Sequence, residues 1–242
     1  DNGNTWVRLV KMNNSISWIA LTSNGYIFLG TANGIYKSTN NGIDFNLSSS
    51  VFASGAVITL DSGIVIAGAE NGGYRSTDFG ISWQLIPTLS ETIYSFAKKN
   101  NEILYCGSIN GKIKRSLDKG LTWNTVYTGP SNTVVYSIST NNNGYVFATC
   151  SNMLLSTNDG LTFSSFGSIS VGYPCSLIDN ANNIYCCQGS MLMKSTNNGT
   201  NFTSFNSGAF GNYWRMIKNP DGYLFLGTDG NFVPCVHSVG QP

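Results

Sequence analysis

Ser116-Leu117-Asp118-Lys119-Gly120-Leu121-Thr122-Trp123 is the stretch whose reading decides the fold, because versions of it return roughly every 40 residues. Ser76-Thr77-Asp78-Phe79-Gly80-Ile81-Ser82-Trp83 is nearly as complete. Looser copies run from Ser38 to Phe45, Ser156 to Phe163 and Ser195 to Phe202, with Asn in place of Asp and Phe in place of Trp. A sixth, Asp1-Asn2-Gly3-Asn4-Thr5-Trp6, opens the chain. Each repeated position has a physical job. The Gly takes a positive φ in a tight turn. The Asp or Asn hydrogen-bonds the turn's own backbone, and the Ser hydroxyl joins that network. The closing aromatic is an apolar anchor, worth about 3–5 kcal/mol when cut back to Ala in a packed site.

Between these hairpins a second pattern recurs. Trp6-Val7-Arg8-Leu9-Val10 reads as an outer strand, Ser17-Trp18-Ile19-Ala20-Leu21 as an inner strand, and Tyr26-Ile27-Phe28-Leu29-Gly30 as the next. Gly34-Ile35-Tyr36-Lys37-Ser38 then leads back into the hairpin. Counterparts of the second strand are found at 64–68, 103–107, 145–148, 185–189 and 223–227. Four strands per repeat, about 24 in all, make an all-β chain of radially repeated sheets, a six-bladed β-propeller. The expected blades are 11–48, 49–86, 87–127, 128–166, 167–205 and 206–242 of a single domain covering 1–242. The last repeat supplies only three strands, so residues 1–10 are expected to complete it and close the ring. Pro234 predicts a bulge or edge in that repeat.

The spacing S-x-[DN]-x-G-x-x-[WF] resembles the Asp-box, or BNR, repeat, and the resemblance covers essentially the whole chain. That family occurs in the β-propellers of sialidases, sortilin-type receptors, xyloglucan-cleaving enzymes and photosystem assembly factors. The resemblance implies that the boxes lie on one rim and the ligand face on the other. It does not imply one function, since a fold hosts many.

Composition narrows the classes. The chain has 242 residues, 41% hydrophobic and only 10% charged, with 27 Gly and a net charge of +1. That suits short strands and tight turns, and it gives no bulk electrostatic reason to expect a nucleic-acid or membrane partner. No apolar run is long enough for a transmembrane helix. No leader is visible, and the opening within a repeat element reads as a processed or a trimmed form. The six Cys lack metal-type spacing. Cys175 and either Cys186 or Cys187 flank one hairpin and are placed to pair in an oxidising compartment.

On the face opposite the boxes the inner strands begin with aromatics: Trp18, Tyr94, Tyr136, Tyr173, Tyr213 and Trp214, with Phe52 and Phe210 in the loops. They form either a stacking platform for a sugar or peptide or one packing residue per blade; recurrence favours packing. Arg215 is the least repetitive residue there, its counterparts lying near Ile19, Ser95 and Ser137. A guanidinium at that point is suited to clamp a carboxylate or sugar hydroxyls, or to pair structurally with Glu70, Glu91 or Asp229. Arg215, Trp214, Trp18, Tyr94 and Tyr136 are the candidate ligand-binding residues.

Catalytic signals are weak. Of the four Arg, Arg75 and Arg115 stand just before a box Ser on the far rim, and the Arg-Ile-Pro motif of sialidases is absent. The Asp and Glu show no pairing across a cleft, and His237 is the only His, so no catalytic residue, metal ligand or cofactor is assigned. Lys98, Lys99, Lys112, Lys114, Arg115 and Lys119 form a basic cluster, read as a solvated face before a docking surface. Asn13, Asn46, Asn198 and Asn201 fit N-x-[ST]. The expected function is a non-enzymatic, lectin-like binding module, secreted or on the cell surface, recognising a glycan or protein. The alternatives are a sialidase-like glycoside hydrolase and a scaffold within a larger extracellular assembly.

Overall fold

The computed structural model describes residues 15–51, 55–168, 175–188, 191–205, 213–218, 224–228 and 235–237. Residues 1–14, on which the expected ring closure depends, lie outside them, as do Phe52, Tyr173 and Phe210.

The described chain is all-β, in six antiparallel sheets. The first holds β1 (Ile16–Leu21), β2 (Ile27–Thr31), β3 (Gly34–Ser38) and β4 (Asn46–Ser49), hydrogen-bonded in that order. The second holds β5 (Val57–Thr59), β6 (Val65–Ala69), β7 (Gly72–Ser76) and β8 (Gln84–Ile86). The third holds β9 (Ile93–Lys98), β10 (Leu104–Ser108), β11 (Lys112–Ser116) and β12 (Asn124–Thr128). These three belong to one compact unit, Arg8–Val135.

The other unit holds the remaining sheets. The fourth is β13 (Ser137–Thr140), β14 (Val146–Thr149), β15 (Asn152–Ser156) and β16 (Ser164–Ser168). The fifth is β17 (Ser176–Ile178), β18 (Ile184–Gln188), β19 (Met191–Ser195) and β20 (Thr203–Phe205). Three strands make the sixth among the described residues: β21 (Tyr213–Lys218), β22 (Leu224–Thr228) and β23 (Cys235–His237).

The second strand of each sheet is the most apolar and the most enclosed. All five residues of β6 and of β10 are buried, as a strand covered on both faces should be. Inner strand β1 is by contrast half open, with Ile16, Ile19 and Leu21 exposed. The core lies between consecutive sheets. Phe28 and Ile35 of the first pack on Val57, Val65 and Ala67 of the second. Ile66 and Ile86 of the second pack with Phe96, Leu104 and Trp123 of the third. In the other unit Phe147 and Met153 pack with Ile178 and Ile184, and Tyr185 and Leu192 with Met216 and Leu224.

The recurring hairpin joins the third and fourth strands of the first five sheets, and its chemistry is the same each time. The Ser hydroxyl accepts the Gly N–H at 2.7–2.9 Å. It donates to the Oδ1 of the Asp or Asn at 2.7–2.9 Å. That Oδ1 accepts the backbone N–H four residues on at 2.9–3.0 Å. Gly120 has φ +78°, and a Cβ there would collide with Ile66 of the neighbouring sheet. The residue before each Gly is also left-handed: Asn41, Phe79, Lys119, Asp159 and Asn198 have φ of 56–59°. For Phe79 this is a strained choice. Its ring meets Tyr26 edge-on at 5.6 Å.

In the second, third and fourth sheets the hairpin is tied to the turn between the first two strands of its own sheet. Phe79 N–H donates to Gly63 O (2.9 Å), Lys119 N–H to Glu102 O (3.3 Å) and Asp159 N–H to Gly144 O (2.8 Å). Boxes and these turns therefore share one rim, and the remaining loops emerge at the opposite end of each sheet.

Candidate functional site

Strand register decides where the predicted site residues point. Facing the fourth residue of each second strand is one inner-strand position. It is Trp18 opposite Gly30, Ser95 opposite Gly107, Ser137 opposite Thr149, and Arg215 opposite Gly227. Ala56 carries the same role through the Gly68 N–H to its carbonyl (2.8 Å), and Cys175 through that of Cys187 (3.0 Å). The sequence comparison had put Ile19 near Arg215. The pairing of Trp18 with Gly30 and of Arg215 with Gly227 makes Trp18 the counterpart instead.

Side chains at this position serve the junction between sheets. Trp18 packs against the clusters that hold the first three sheets together. Ser95 Oγ donates to Val135 O at 3.1 Å. Ser137 Oγ accepts the Ser176 N–H at 3.1 Å and lies 2.9 Å from its hydroxyl. Cys175 is disulfide-bonded to Cys187 across the strand pair, with Cα atoms 5.4 Å apart. Cys187 is thus the partner, while Cys186 faces the other side of the sheet as a buried thiol, pushed up to about 12 by burial. Arg215 is the charged member of the series, and burial lowers its proton affinity.

Of the five candidate residues, Trp18 and Tyr94 belong to one compact unit and Tyr136, Trp214 and Arg215 to the other. Tyr94 and Tyr136 are half-buried. Tyr136 extends the inner strand by one hydrogen bond, its N–H donating to Thr149 O at 3.1 Å. The backbone of Trp214 lies in β21, and its side chain is outside the described residues.

Basic side chains of the third repeat are partnered within the molecule by two acids and by backbone carbonyls. Glu91, from the loop before β9, takes Lys112 Nζ on Oε2 and Lys114 Nζ on Oε1, both at 2.8 Å. Lys114 also donates to Thr88 O (2.8 Å), Lys98 to Thr59 O (2.9 Å), and Lys119 pairs with Glu102 (3.1 Å). The sequence signal for this arrangement was absent because Glu91 lies 21 residues from Lys112.

Four carboxylates, Glu91, Asp179, Asp118 and Asp78, have their proton affinity lowered. Burial raises the proton affinity of Glu91, but Lys112 and Lys114 outweigh it and the net shift is downward. For Asp179, burial is likewise outweighed by Lys218 and Asn183. For Asp118 it is outweighed by Thr122 and Ser116. Asp78 is driven far down by Ser82 and Ser76. Among the described residues no cluster of three His, Cys, Asp or Glu is placed to hold a metal ion, and no helix is long and apolar enough to cross a membrane.

The profile of the BNR/Asp-box repeat family matches residues 74–85. No curated protein matches the chain in sequence. Solved structures similar to it include an ancestral GH74 enzyme, at 19% identity and a TM-score of 0.74 over 90% of this chain and 35% of that one. Virginiamycin B lyase from Staphylococcus aureus is similar at 16% identity and a TM-score of 0.73, over 92% of this chain and 80% of that one. YCF48 bound to D1 peptide is similar at 15% identity and a TM-score of 0.71, over 95% and 81%. The chain thus spans about a third of the GH74 enzyme's length. It carries the Asp-box (BNR) repeat and has the fold of a β-propeller.

Proposed function

We propose that this propeller is a non-catalytic binding module that recognises a glycan or protein through the loop face opposite the Asp-boxes. The observation that carries this reading is geometric: Glu91, in the loop before β9, is held between Lys112 and Lys114 at 2.8 Å, and Asp78, Asp118 and Asp179 are likewise tied to hydroxyls or a lysine. A glycosidase needs a carboxylic acid whose pKa is raised so that it can protonate the leaving group. Asp78, Glu91, Asp118 and Asp179 are all shifted the other way. Arg215, Trp214, Trp18, Tyr94 and Tyr136 remain the residues to vary. Arg215 and Trp214 are the first to vary, because the Trp18 ring is committed to packing between sheets.

The same reading includes six blades with the ring closed by residues 1–10. It is supported by the sixth sheet, which among the described residues has three strands where the other five have four. A secreted or cell-surface setting is supported by the Cys175–Cys187 disulfide, since such bonds persist in oxidising compartments. A second reading, a glycoside hydrolase, is favoured by the likeness to the GH74 enzyme.

Glycan and peptide arrays probed with the chain and with its Arg215→Ala and Trp214→Ala variants test the proposal, alongside a fluorogenic glycoside panel. Saturable binding that both variants weaken, with no fluorophore released, is the expected result. Turnover of any glycoside selects the hydrolase.

A further inference from the structure

The grooves between neighbouring sheets at the box rim are not alike. Between the second and third sheets the groove is closed. Arg75, just before the box Ser, donates its Nε to Lys119 O at 3.1 Å. Trp123 Nε1 donates directly to Gly120 O at 3.1 Å, and the ring is only 4% exposed. Between the first and second sheets Lys37 stands where Arg75 stands, and its ammonium lies over the Tyr26 ring, 4.6 Å from the centroid.

Strand β4 also carries an extra residue there. Ile35 pairs with Ser49 and Tyr36 with Leu47, so Ser48 is bulged out. Its hydroxyl donates to Gly80 O (2.5 Å) and accepts from Trp83 Nε1 (3.2 Å). A hydroxyl thus stands between indole and carbonyl where the third sheet has a direct bond, and Trp83 is only half-buried. The result is a cleft of about 300 Å³, with Lys37, Thr39 and Asn46 as polar lining and Leu47 and Ile81 as apolar lining. Those two side chains are 55% and 79% exposed.

The cleft is amphipathic and its lining includes no acid. Asp78, the carboxylate nearest in effect to Lys37, already accepts from the Ser76 and Ser82 hydroxyls and from the Ile81 and Ser82 N–H groups. We propose that this cleft binds a carboxylate flanked by an aliphatic side chain, the chemistry of a peptide C-terminus ending in Leu, Ile or Val. The carboxylate lies against Lys37, with Asn46 and Thr39 as further donors, and the aliphatic group covers Leu47 and Ile81. The site is independent of the loop face opposite the boxes.

The test is an NMR titration of the full chain with N-acetyl-L-leucine and with N-acetyl-L-leucinamide, which lacks the charge. The Trp83 indole N–H, bonded to Ser48 in the cleft, is the reporter, identified by its loss in Trp83→Phe. A saturable shift with a millimolar Kd is expected for a ligand of about a dozen heavy atoms, and about tenfold weaker binding of the amide. Lys37→Met keeps the aliphatic stem and should weaken N-acetyl-L-leucine about tenfold while leaving the rest of the spectrum in place. A tetrapeptide ending in Leu that binds more tightly identifies a chain terminus as the source of the carboxylate; equal affinity identifies a free small acid. Absence of a saturable shift, equal binding of the amide, or full affinity in Lys37→Met overturns the proposal.

Discussion

The box is named for its Asp, yet its geometry predicts that the Ser carries more of the stability. In the third sheet Ser116 is buried, and its hydroxyl accepts the buried Gly120 N–H at 2.9 Å. Ser116→Ala leaves that N–H facing protein without an acceptor, which costs about 1–3 kcal/mol. For a chain of this size each kcal/mol moves the melting temperature by about 2–4 °C, so the variant should melt about 2–12 °C lower. Asp118 works at the exposed end of the turn, accepting the Leu121 and Thr122 N–H groups at 3.1 and 2.9 Å. Asn40, Asn158 and Asn197 do the same work in other sheets with one oxygen. Asp118→Asn should therefore stay within about 0.5 kcal/mol of the unaltered chain. Calorimetry at pH 7 on both variants decides it. If Asp118→Asn melts below Ser116→Ala, or Ser116→Ala melts with the unaltered chain, the account of the turn is wrong.

Further outcomes follow from the same contacts. Glu91 has a lowered pKa, so its stabilisation is complete above the ordinary value of 4.5 and is lost as pH falls through the folded value. Glu91→Gln should lower the melting temperature at pH 7, and the gap should narrow at pH 3; a constant gap would contradict the Lys–Glu–Lys assignment. Reducing the Cys175–Cys187 bond should cost about 3 kcal/mol for so short a loop, measured by melting Cys175→Ser with Cys187→Ser. Native protein should leave Cys186 unlabelled by a thiol reagent at pH 8, and rapid labelling would contradict its burial. Deleting residues 1–10 should lower the melting temperature sharply if they complete the sixth sheet, and an unchanged value would refute the closure. Trp18→Ala should cost about 2–3 kcal/mol, below the range for a fully buried Trp because its ring is partly exposed, and an unchanged melting curve would return it to the ligand face.

The parts of this fold that were legible in sequence are those whose chemistry is local. Ser, Asp or Asn, Gly and an aromatic at fixed spacing describe one turn, and the bonds among the Ser hydroxyl, the Asp or Asn oxygen and the Gly N–H close within eight residues. What was illegible depended on partners elsewhere. Which inner-strand residue faces the fourth position of the second strand depends on cross-strand pairing, so Trp18 and not Ile19 matches Arg215. The basic run of the third repeat looked like a solvated face because its counter-charge, Glu91, belongs to a loop leading in from the second sheet. Cys175 had two plausible partners in sequence, and strand pairing selects Cys187 because Ser176 lies opposite Cys186. The left-handed residue before each box Gly went unread, since Phe79 and Lys119 are side chains that ordinarily avoid that conformation.

The placement of apolar contacts has a consequence for how the chain comes apart. Each cluster is jointly owned by two successive sheets, and none of the sheets encloses an interior by itself. A nick in a loop that joins two sheets sharing a cluster should therefore leave those sheets clinging together under native conditions. An excised single sheet should be sticky and unable to stand alone, and grafting one into a foreign scaffold will require bringing its neighbours along.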